Sequence, residues 1–305
     1  MYFPYLRGRQ FELLALRELV ENDILGDNII PIIEPVKLSS SLIKTVAIFN
    51  KKGHKFVFIK NPSVGAYTLD VEGEQQEENS LYKKLQIELK YENITKAYLF
   101  KNNIEPIVDN KKNSIAIIDS MDDINCYLKT YNKENPLYTI ISDKRSIKRN
   151  VKGKKIVLED SFIKQKRNID YQNNEDEFFS DWHREFKKEG YDGFSDYSIV
   201  GAEYNESGFA PIAVAIHIVY LNQYNDLRIH HFVSKTNVDN KDTAGKFGEA
   251  VAELKEWCQK KEVLETRGLN MLYDYCDTGK FPGLGVVKKC SIMHHLELMN
   301  KNLGD

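Results

Sequence analysis

Cysteine is scarce in this chain of 305 residues, and no long apolar run is present. The four cysteines are spread without a C-x-x-C spacing, which excludes a disulfide framework and indicates a cytosolic protein with reduced, mostly buried thiols. The longest apolar stretches, such as residues 213–219, have the length of a strand and not the roughly 20 residues of a membrane helix. Residues 1–7 lack a basic segment followed by an apolar core, so no signal peptide is expected. The sequence therefore predicts a cytoplasmic protein without membrane contact.

An excess of charge of one sign is also absent. Lys and Arg number 43 against 45 Asp and Glu, a net charge of −2, so the whole protein has no electrostatic preference for nucleic acid or anionic membrane. Hydrophobic residues make up 42% and charged residues 29%, which excludes a chain that is disordered as a whole. The motifs G-x-S-x-G, H-E-x-x-H and G-x-G-x-x-G are missing, which removes the common hydrolase, metalloprotease and dinucleotide-binding functions. No cofactor is predicted.

Short β-branched runs alternate with helical patterns, which is typical of a parallel sheet with crossover helices. Residues 29–33 and 55–59 are nearly continuous apolar runs, as expected of strands that are buried on both faces. The sequence predicts an α/β fold of irregular (β/α)8 type, barrel-like over residues 1–205. Residues 206–305 are expected to add an antiparallel strand pair, 213–220 with 227–233, and helices that belong to the same domain.

The middle of the chain conflicts with a regular barrel. Residues 104–108 and 114–118 both have the composition of a strand, but the segment between them is too short for a parallel crossover, which needs a dozen or more residues. Either the two form a hairpin or one of them is not a strand. Residues 175–189 are expected to form a helix with Phe178, Trp182 and Phe186 on one face.

Polar residues follow most of the predicted strands. They are Arg7, Glu34, Lys60, Asn61, Asp109, Asp119, Asp143, Glu159 and Asp160. The carboxyl ends of parallel strands face the ligand site of an α/β fold, so polar side chains there converge. Turns and helix caps also attract polar residues, although Arg, Glu and Lys are not typical turn residues. The side chains expected to gather at one end of the sheet are Arg7, Glu34, Lys60, Asn61, Asp109 and Asp143. Within this set we expect Arg7 or Lys60 to pair with Glu34 or Asp109.

The N-terminal residues resemble a known family. Residues 2–12 (Tyr-Phe-Pro-Tyr-Leu-Arg-Gly-Arg-Gln-Phe-Glu), 15–19 and 31–35 (Pro-Ile-Ile-Glu-Pro) are similar to the opening of the bacterial and satellite-phage beta protein family. Asn61 and Pro62 with Gly65, and residues 215–220 and 230–232, resemble later blocks of that family. The resemblance implies a cytosolic protein of mobile elements and phage-defence islands, encoded beside a toxic or effector protein. The satellite-phage member is associated with restraining the toxicity of its neighbour. The resemblance implies no catalytic residues.

Two functions from different classes follow. The first is a component of a phage-defence or toxin–antitoxin-type module that binds and controls the protein encoded beside it. It rests on the resemblance and on the lack of a complete catalytic motif. The alternative is a hydrolase or phosphodiesterase with a charged site at the carboxyl ends of the strands. Under the alternative, the catalytic residues are Glu34, Asp109 and Asp143, and the ligand-binding residues are Arg7, Lys60 and Asn61.

Three histidines lie on the predicted antiparallel pair. Because neighbours in a strand face opposite sides, only one of His230 and His231 can share a face with His217. With a nearby carboxylate, two imidazoles can bind a divalent metal or act as acid and base, although structural histidines are the commoner case. Cys290 and His294 stand one helical turn apart, but the four-ligand pattern of structural zinc is absent. No metal site is predicted.

The densest basic stretch covers residues 144–155 and continues through 164–167. A patch of this kind can contact RNA or an acidic partner. Runs of lysine and arginine are more often solvated loops, and no aromatic residue interleaves this one to stack against a base. Nucleic acid is therefore a weaker alternative to a protein partner.

Overall fold

The computed structural model describes residues 1–74, 80–206 and 211–304. The strands are β1 (Tyr5–Leu6), β2 (Ile32–Ile33), β3 (Phe56–Ile59), β4 (Ile94–Phe100), β5 (Ser114–Ile118), β6 (Tyr138–Ile141), β7 (Lys155–Glu159), β8 (Asp176–Ser180), β9 (Gly193–Asp196), β10 (Ala215–Leu221) and β11 (Leu227–Val233). The helices are α1 (Gln10–Glu21), α2 (Ser40–Lys52), α3 (Tyr67–Glu74), α4 (Leu81–Glu88), α5 (Ile124–Thr130), α6 (Arg145–Lys148), α7 (Trp182–Glu185), α8 (Thr243–Lys260), α9 (Arg267–Thr278) and α10 (Leu284–Gly304). Short 3₁₀ turns lie at Met121–Asp123, Asn168–Asn173 and Ser198–Val200.

The chain folds as two compact units, of which unit 1 consists of Met1–Asp160 and Trp182–Tyr197. Eight parallel strands pair in it in the order β1-β2-β3-β4-β5-β6-β7-β9. The Phe3 backbone donates to the Phe194 carbonyl over 2.8 Å, and the Phe194 backbone donates to the Met1 carbonyl over 3.2 Å, so the last strand returns to the first. The sheet is therefore a nearly closed barrel, which confirms the predicted α/β barrel-like fold.

Alternate residues of the strands fill the barrel interior, as the period of two in a strand requires. The interior cluster contains Phe3, Tyr5, Ile32, Val57, Ile59, Ala97, Ile115, Ile117, Ile140, Ile156 and Leu158. The ring centroids of Phe3, just before β1, and Tyr138, on β6, lie 5.7 Å apart although β1 and β6 are not neighbours in the sheet. A side chain that continues this alternation past the end of a strand therefore lies over the carboxyl end of the barrel.

The boundaries of α2 are set by its caps. The Ser39 hydroxyl accepts a hydrogen bond from the Leu42 backbone over 3.2 Å, which satisfies one of the unpaired amides of the first turn. The helix ends at Gly53, whose φ of +67° is the left-handed conformation that glycine adopts without strain.

The conflict in the middle of the barrel is resolved by a strand that the sequence analysis omits. Residues 94–100 form β4, which pairs with β3 on one side and β5 on the other. Of the two alternatives for residues 104–108 and 114–118, the second holds: residues 104–108 are not a strand but belong to a loop, residues 101–113, that joins β4 to β5 without a helix. We call it the β4–β5 loop. Ile104 and Ile107 of this loop are exposed, so they bury no apolar surface that would stabilise a strand at 104–108.

Unit 2 consists of Ser161–Asp181 and Ser198–Asp305. Its antiparallel sheet has the order β10-β11-β8, and the expected pairing of 213–220 with 227–233 is confirmed. One core cluster joins this sheet to α8, α9 and α10, and it includes Val214, Ile216, Ile218, Phe232, Phe247, Val251, Leu254, Leu269, Leu272 and Cys290. The predicted boundary between the barrel-like portion and the rest of the chain is at residues 205 and 206. In the structure, residues 161–181 and 198–205 belong to unit 2 and not to the barrel.

The expected helix over residues 175–189 is also wrong. Its first part is the strand β8, in which Glu177 and Phe179 are buried and Phe178 is half exposed. Pairing with β11 satisfies the backbone of this segment, and that tertiary contact overrides the helix-like spacing of the aromatic residues. Among the residues that the structure describes, no helix has both the length and the apolar character needed to span a bilayer.

Candidate functional site

The carboxyl end of the barrel carries a group of polar side chains centred on Glu34, which we call the barrel-end cluster. Its members are Tyr5, Arg7, Glu34, Ser63, Asp119, Asp160 and Tyr197. The Glu34 residue is 0% exposed, and the Arg7 side chain is 11% exposed. Because an isolated charge at such a position is strongly unfavourable, the partners of Glu34 decide whether the cluster is stable.

Glu34 accepts hydrogen bonds at both carboxylate oxygens. Oε2 forms an ion pair with the Arg7 guanidinium and accepts from the Tyr5 hydroxyl over 2.8 Å. Oε1 accepts from the Ser63 backbone amide over 2.8 Å and from the Ser63 hydroxyl over 3.2 Å. The pairing of Arg7 with Glu34 is one that the sequence analysis expects. Four donors leave this carboxylate little capacity to take a proton from a substrate.

A close approach of two loops brings Ser63 to Glu34. Gly65 has a φ of +77°, and a Cβ atom there would lie 2.2 Å from the Val36 carbonyl oxygen. The backbone of Ala66 donates to that same oxygen over 2.8 Å. Only glycine fits this contact, and it holds the loop after β3 against the residues after β2.

Tyr197 joins the cluster from the last barrel strand. Its ring lies 4.9 Å from that of Tyr5, and the Arg7 guanidinium carbon lies 5.3 Å from each of the two ring centroids. Burial raises the pKa of the Tyr197 phenol, while Arg7 acts in the opposite direction. Asp119, Glu34 and Asp160 raise that pKa further, which places all three carboxylates near the phenol. Tyr197 is therefore protonated at neutral pH and can donate a hydrogen bond.

The structure places Asn61 between β3 and β4. Its side-chain amide donates to the Leu99 carbonyl over 2.8 Å, and its side-chain oxygen accepts from the Leu99 backbone over 2.9 Å. These bonds extend the strand pairing by one step. Both functional atoms of Asn61 are engaged with the backbone, so its place in the site is structural.

Lys60 and Asp109 lie apart from the barrel-end cluster. Asp109 forms an ion pair with Lys96 over 2.9 Å, and Lys96 alternates with the interior residue Ala97, so this pair is on the outside of the sheet. Burial lowers the pKa of Lys60, and the nearby Lys96 lowers it further while Asp109 acts against both. Asp109 is misplaced in the sequence analysis because the strand that it was assigned to end, at 104–108, does not exist.

Asp143 is also separate from the cluster. Its carboxylate accepts a hydrogen bond from the Tyr191 hydroxyl over 2.6 Å and lies 3.8 Å from the Lys148 ammonium, with about half of its side chain exposed. Ile140 of β6 belongs to the interior cluster, and Tyr138 packs against that cluster. Because side chains alternate along a strand, Asp143, three residues after Ile140, points to the outside of the barrel. Of the six expected residues, the structure pairs Arg7 with Glu34 and keeps Lys60 near Asp109, apart from that pair. Asn61 and Asp143 have other partners.

Asp119 and Asp160 are strand-end residues that the sequence analysis lists but does not assign to the site. Each continues the inward alternation of its strand, after Ile117 on β5 and Leu158 on β7. Both are exposed at the open end of the barrel. The period of two, applied to each strand end, is the signal that separates Asp119 and Asp160 from Asp143.

A second polar group lies in unit 2, on the antiparallel sheet. His217 and His231 are register partners, and their Nδ1 atoms lie 2.8 Å apart. The Nε2 atom of His231 lies 3.1 Å from the Glu177 carboxylate. His230 takes the opposite face and contacts Asp176 over 3.1 Å. The structure thus selects His231 as the partner of His217 and supplies the nearby carboxylate.

The spacing of Cys290 and His294 does not produce a metal site. Nδ1 of His294 lies 2.8 Å from the Thr266 hydroxyl, and Nε2 lies 2.7 Å from the Val219 carbonyl oxygen, to which it donates. Both ring nitrogens are occupied, so no lone pair is left for a metal ion. In the residues that the structure describes, no group of three or more His, Cys, Asp or Glu side chains is arranged to hold a metal.

The basic stretch is largely engaged within the protein. Lys148 lies beside Asp143 and over the Tyr191 ring, 4.0 Å from its centroid. Lys144 donates to the Asp119 carbonyl over 3.2 Å. In unit 2, Lys164 pairs with Glu203 over 3.1 Å. These contacts use cations that a phosphate backbone would otherwise bind.

Comparison with known proteins gives no relative: no family model, no curated protein and no solved structure matches the chain.

Proposed function

We propose that the chain is a cytoplasmic component of a phage-defence or toxin–antitoxin-type module, which binds the protein encoded beside it and controls that protein's activity. The partner surface in this proposal is the β4–β5 loop, and the barrel-end cluster is a structural element. The observation that carries the proposal is the exposed apolar tip of that loop, since Ile107 is 90% exposed and Ile104 is 65% exposed.

The loop is held in place although its tip faces solvent. Asn103 donates its backbone amide to Asp123 over 2.8 Å, and Lys129 pairs with Glu105 over 2.7 Å. These bonds tie the loop to α5 and the turn before it. A fixed loop that presents isoleucine to water costs little entropy when it docks, and apolar side chains of this kind serve as anchors at protein interfaces.

The state of Glu34 supports a structural function for the barrel end. A general base needs a free lone pair, and all the direct donors to Glu34 come from its own unit. Asp109 and Asp143, the other two carboxylates expected in a catalytic site, lie elsewhere in unit 1.

The resemblance to the beta protein family supports the same proposal. Several residues that carry it, Tyr5, Arg7, Glu34 and Gly65, are those that build or position the Arg7–Glu34 pair. On this account they preserve the barrel on which the partner-binding loop is mounted. The association with a neighbouring toxic protein, and with mobile elements, comes from the resemblance alone.

The alternative function is a hydrolase or phosphodiesterase at the same end of the barrel. Its support is the exposure of Asp119 and Asp160 beside the Tyr197 phenol. In that case the carboxylates would accept a proton from water, and Arg7, already paired with Glu34, would contribute positive potential near a phosphate.

Co-purification of the chain with the protein encoded beside it tests the proposal. Ile107→Asp places a charge in the proposed interface and is expected to weaken the complex about tenfold or more. Ile87→Asp is the matched control, because Ile87 is also an exposed isoleucine of unit 1 but lies on α4. A complex that Ile107→Asp leaves intact, or that Ile87→Asp weakens equally, contradicts the proposed surface.

A further inference from the structure

His217, one member of the histidine pair of unit 2, lines a cavity of about 220 Å³. The cavity is lined by aromatic, basic and hydroxyl side chains, including Phe162, Lys164, Tyr171, His217, Lys288 and Ser291. Neither the control of a partner protein nor the barrel-end cluster uses any of these residues.

The order of hydrogen bonds fixes which nitrogen of His217 carries a lone pair. The Glu177 carboxylate accepts from Nε2 of His231, so the proton of a neutral His231 is on that atom and its Nδ1 accepts. Nδ1 of His217 must then donate to Nδ1 of His231. The remaining nitrogen of His217, Nε2, holds the lone pair.

Glu177 is itself held in place. Its second oxygen accepts from the Asn174 side-chain amide over 2.6 Å, and the residue is 8% exposed. The rings of Phe162 and Tyr171 contact the His217 ring edge-on, with centroids 5.1 Å and 4.6 Å away. The orientation of His217 is thus fixed by packing and by hydrogen bonds, as in a preorganised binding site.

Charge at the cavity complements this lone pair. Burial lowers the pKa of His217 well below its usual value, and His231 and Lys288 lower it further, so the imidazole is neutral at pH 7. Lys288 lines the same cavity as His217. A ligand that binds both His217 and Lys288 must donate an O–H hydrogen bond to Nε2 of His217 and carry a negative charge that the Lys288 ammonium attracts.

We propose that this cavity binds a small phosphate ester, whose P–OH group donates a hydrogen bond to Nε2 of His217 and whose charged oxygens are attracted by Lys288. A phosphate monoester carries an O–H and an anionic oxygen together up to its second pKa of about 6, whereas a carboxylate has lost its proton well below that pH. The cavity is smaller than the roughly 300 Å³ at which pockets for drug-sized ligands begin, so the ester group must be small.

The test is a titration of the ¹⁵N-labelled full chain with inorganic phosphate and with phenyl phosphate at about pH 6, where the P–OH form is present. The imidazole nitrogens of His217 are followed by NMR. We expect Nε2 of His217 to shift with saturation, with a dissociation constant below about 1 mM for at least one probe, a binding free energy of about −4 kcal/mol.

Two lysine variants separate a built site from general attraction of anions. Lys288→Gln removes the charge at the cavity and is expected to weaken binding about tenfold. Lys289→Gln removes a charge from the next residue, which does not line the cavity, and is expected to leave binding unchanged. His217→Gln, checked for an unchanged amide spectrum, is expected to abolish binding.

Two results overturn the proposal. One is that neither probe moves the His217 signals. The other is that Lys288→Gln and Lys289→Gln bind both probes as wild type does. Lys288 lies on α10 and is only partly buried, so we expect Lys288→Gln to fold. This variant tests the proposal even if His217→Gln does not fold.

Discussion

Glu34 in unit 1 and His217 in unit 2 are both embedded in networks of polar side chains, but the networks end differently. Glu34 receives four hydrogen bonds from Tyr5, Arg7 and Ser63, which occupy both of its oxygens. Within the described residues, the hydrogen bond of the His217 ring is at Nδ1, and the residue lines a cavity. A conspicuous charge cluster at the end of a barrel can therefore be occupied by its own hydrogen bonds, while a less conspicuous histidine pair borders a cavity.

The strongest test of this comparison is removal of the Glu34 carboxylate. Glu34→Ala removes the carboxylate that forms an ion pair with the Arg7 guanidinium in a mostly buried position. Breaking a buried pair in this way costs about 3–5 kcal/mol of unfolding free energy. The measurement is denaturant unfolding of unit 1 in a Trp257→Phe background, in which Trp182 is the only tryptophan left.

The matched control is Asp143→Ala in the same background. Asp143 is also paired with a cation, but about half of its side chain is exposed, so loss of this ion pair and of the hydrogen bond from Tyr191 is expected to cost about 2 kcal/mol or less in total. Equal effects of Glu34→Ala and Asp143→Ala would contradict the view that Glu34 stabilises the barrel.

The next largest effect is expected in unit 2 as the pH falls. Burial lowers the pKa of His294 from its usual 6.5 to about 4, and burial lowers that of His295 to about 3. The unfolded chain therefore binds protons below pH 6.5 that the folded chain does not. The free energy of unfolding is expected to be highest above pH 6.5 and to fall as the pH is lowered. Protonation of His294 alone is expected to lower it by about 3 kcal/mol as the pH approaches 4.

A Trp182→Phe background, in which Trp257 reports on unit 2, makes this measurement specific. His294→Gln removes the titrating group while its amide can still donate to Val219 and accept from Thr266. The variant is expected to show a weaker dependence of unfolding on pH. An unchanged dependence would mean that His294 is not protonated on unfolding in this range.

The smallest expected effect is at Asp109. Its ion pair with Lys96 is on the outer surface, with 55% of the Asp109 side chain and 38% of the Lys96 side chain exposed. Asp109→Ala is expected to change the free energy of unfolding of unit 1 by less than about 1 kcal/mol. A loss as large as that of Glu34→Ala would show that the two carboxylates share one function, as the sequence analysis expects.

The barrel was predictable because its buried strands are apolar runs and its helices carry clear caps, as at Ser39 and Gly53. β4 was missed because Thr95 and Lys96 interrupt its apolar pattern, and only pairing with both neighbours makes it a strand. The spacing of Phe178, Trp182 and Phe186, which repeat every four residues, favours a helix where the structure has β8. Propensity and residue spacing do not reveal which strand a segment pairs with, and this pairing decides whether the segment becomes a helix or a strand.

The site was predictable only in part, for a related reason. Arg7 and Glu34 end strands whose boundaries the sequence locates well, and they meet. Asp143 follows a strand whose end the sequence locates well, but it is three residues after the interior residue Ile140, and the alternation along the strand therefore turns its side chain outward. The pairing of His217 with His231 depends on strand register, which the sequence leaves open between His230 and His231.

Co-expression with the protein encoded beside the chain tests the central claim most directly, with growth as the measure of that protein's toxicity. Two variants are compared with wild type. One replaces the barrel-end carboxylates by amides (Glu34→Gln, Asp119→Asn and Asp160→Asn), and the other places charges in the β4–β5 loop (Ile104→Asp and Ile107→Asp). We expect the amide variant to keep control of toxicity and the loop variant to lose both control and binding. Loss of control in the amide variant with binding intact, and retention of control in the loop variant, would contradict the account and favour an enzyme.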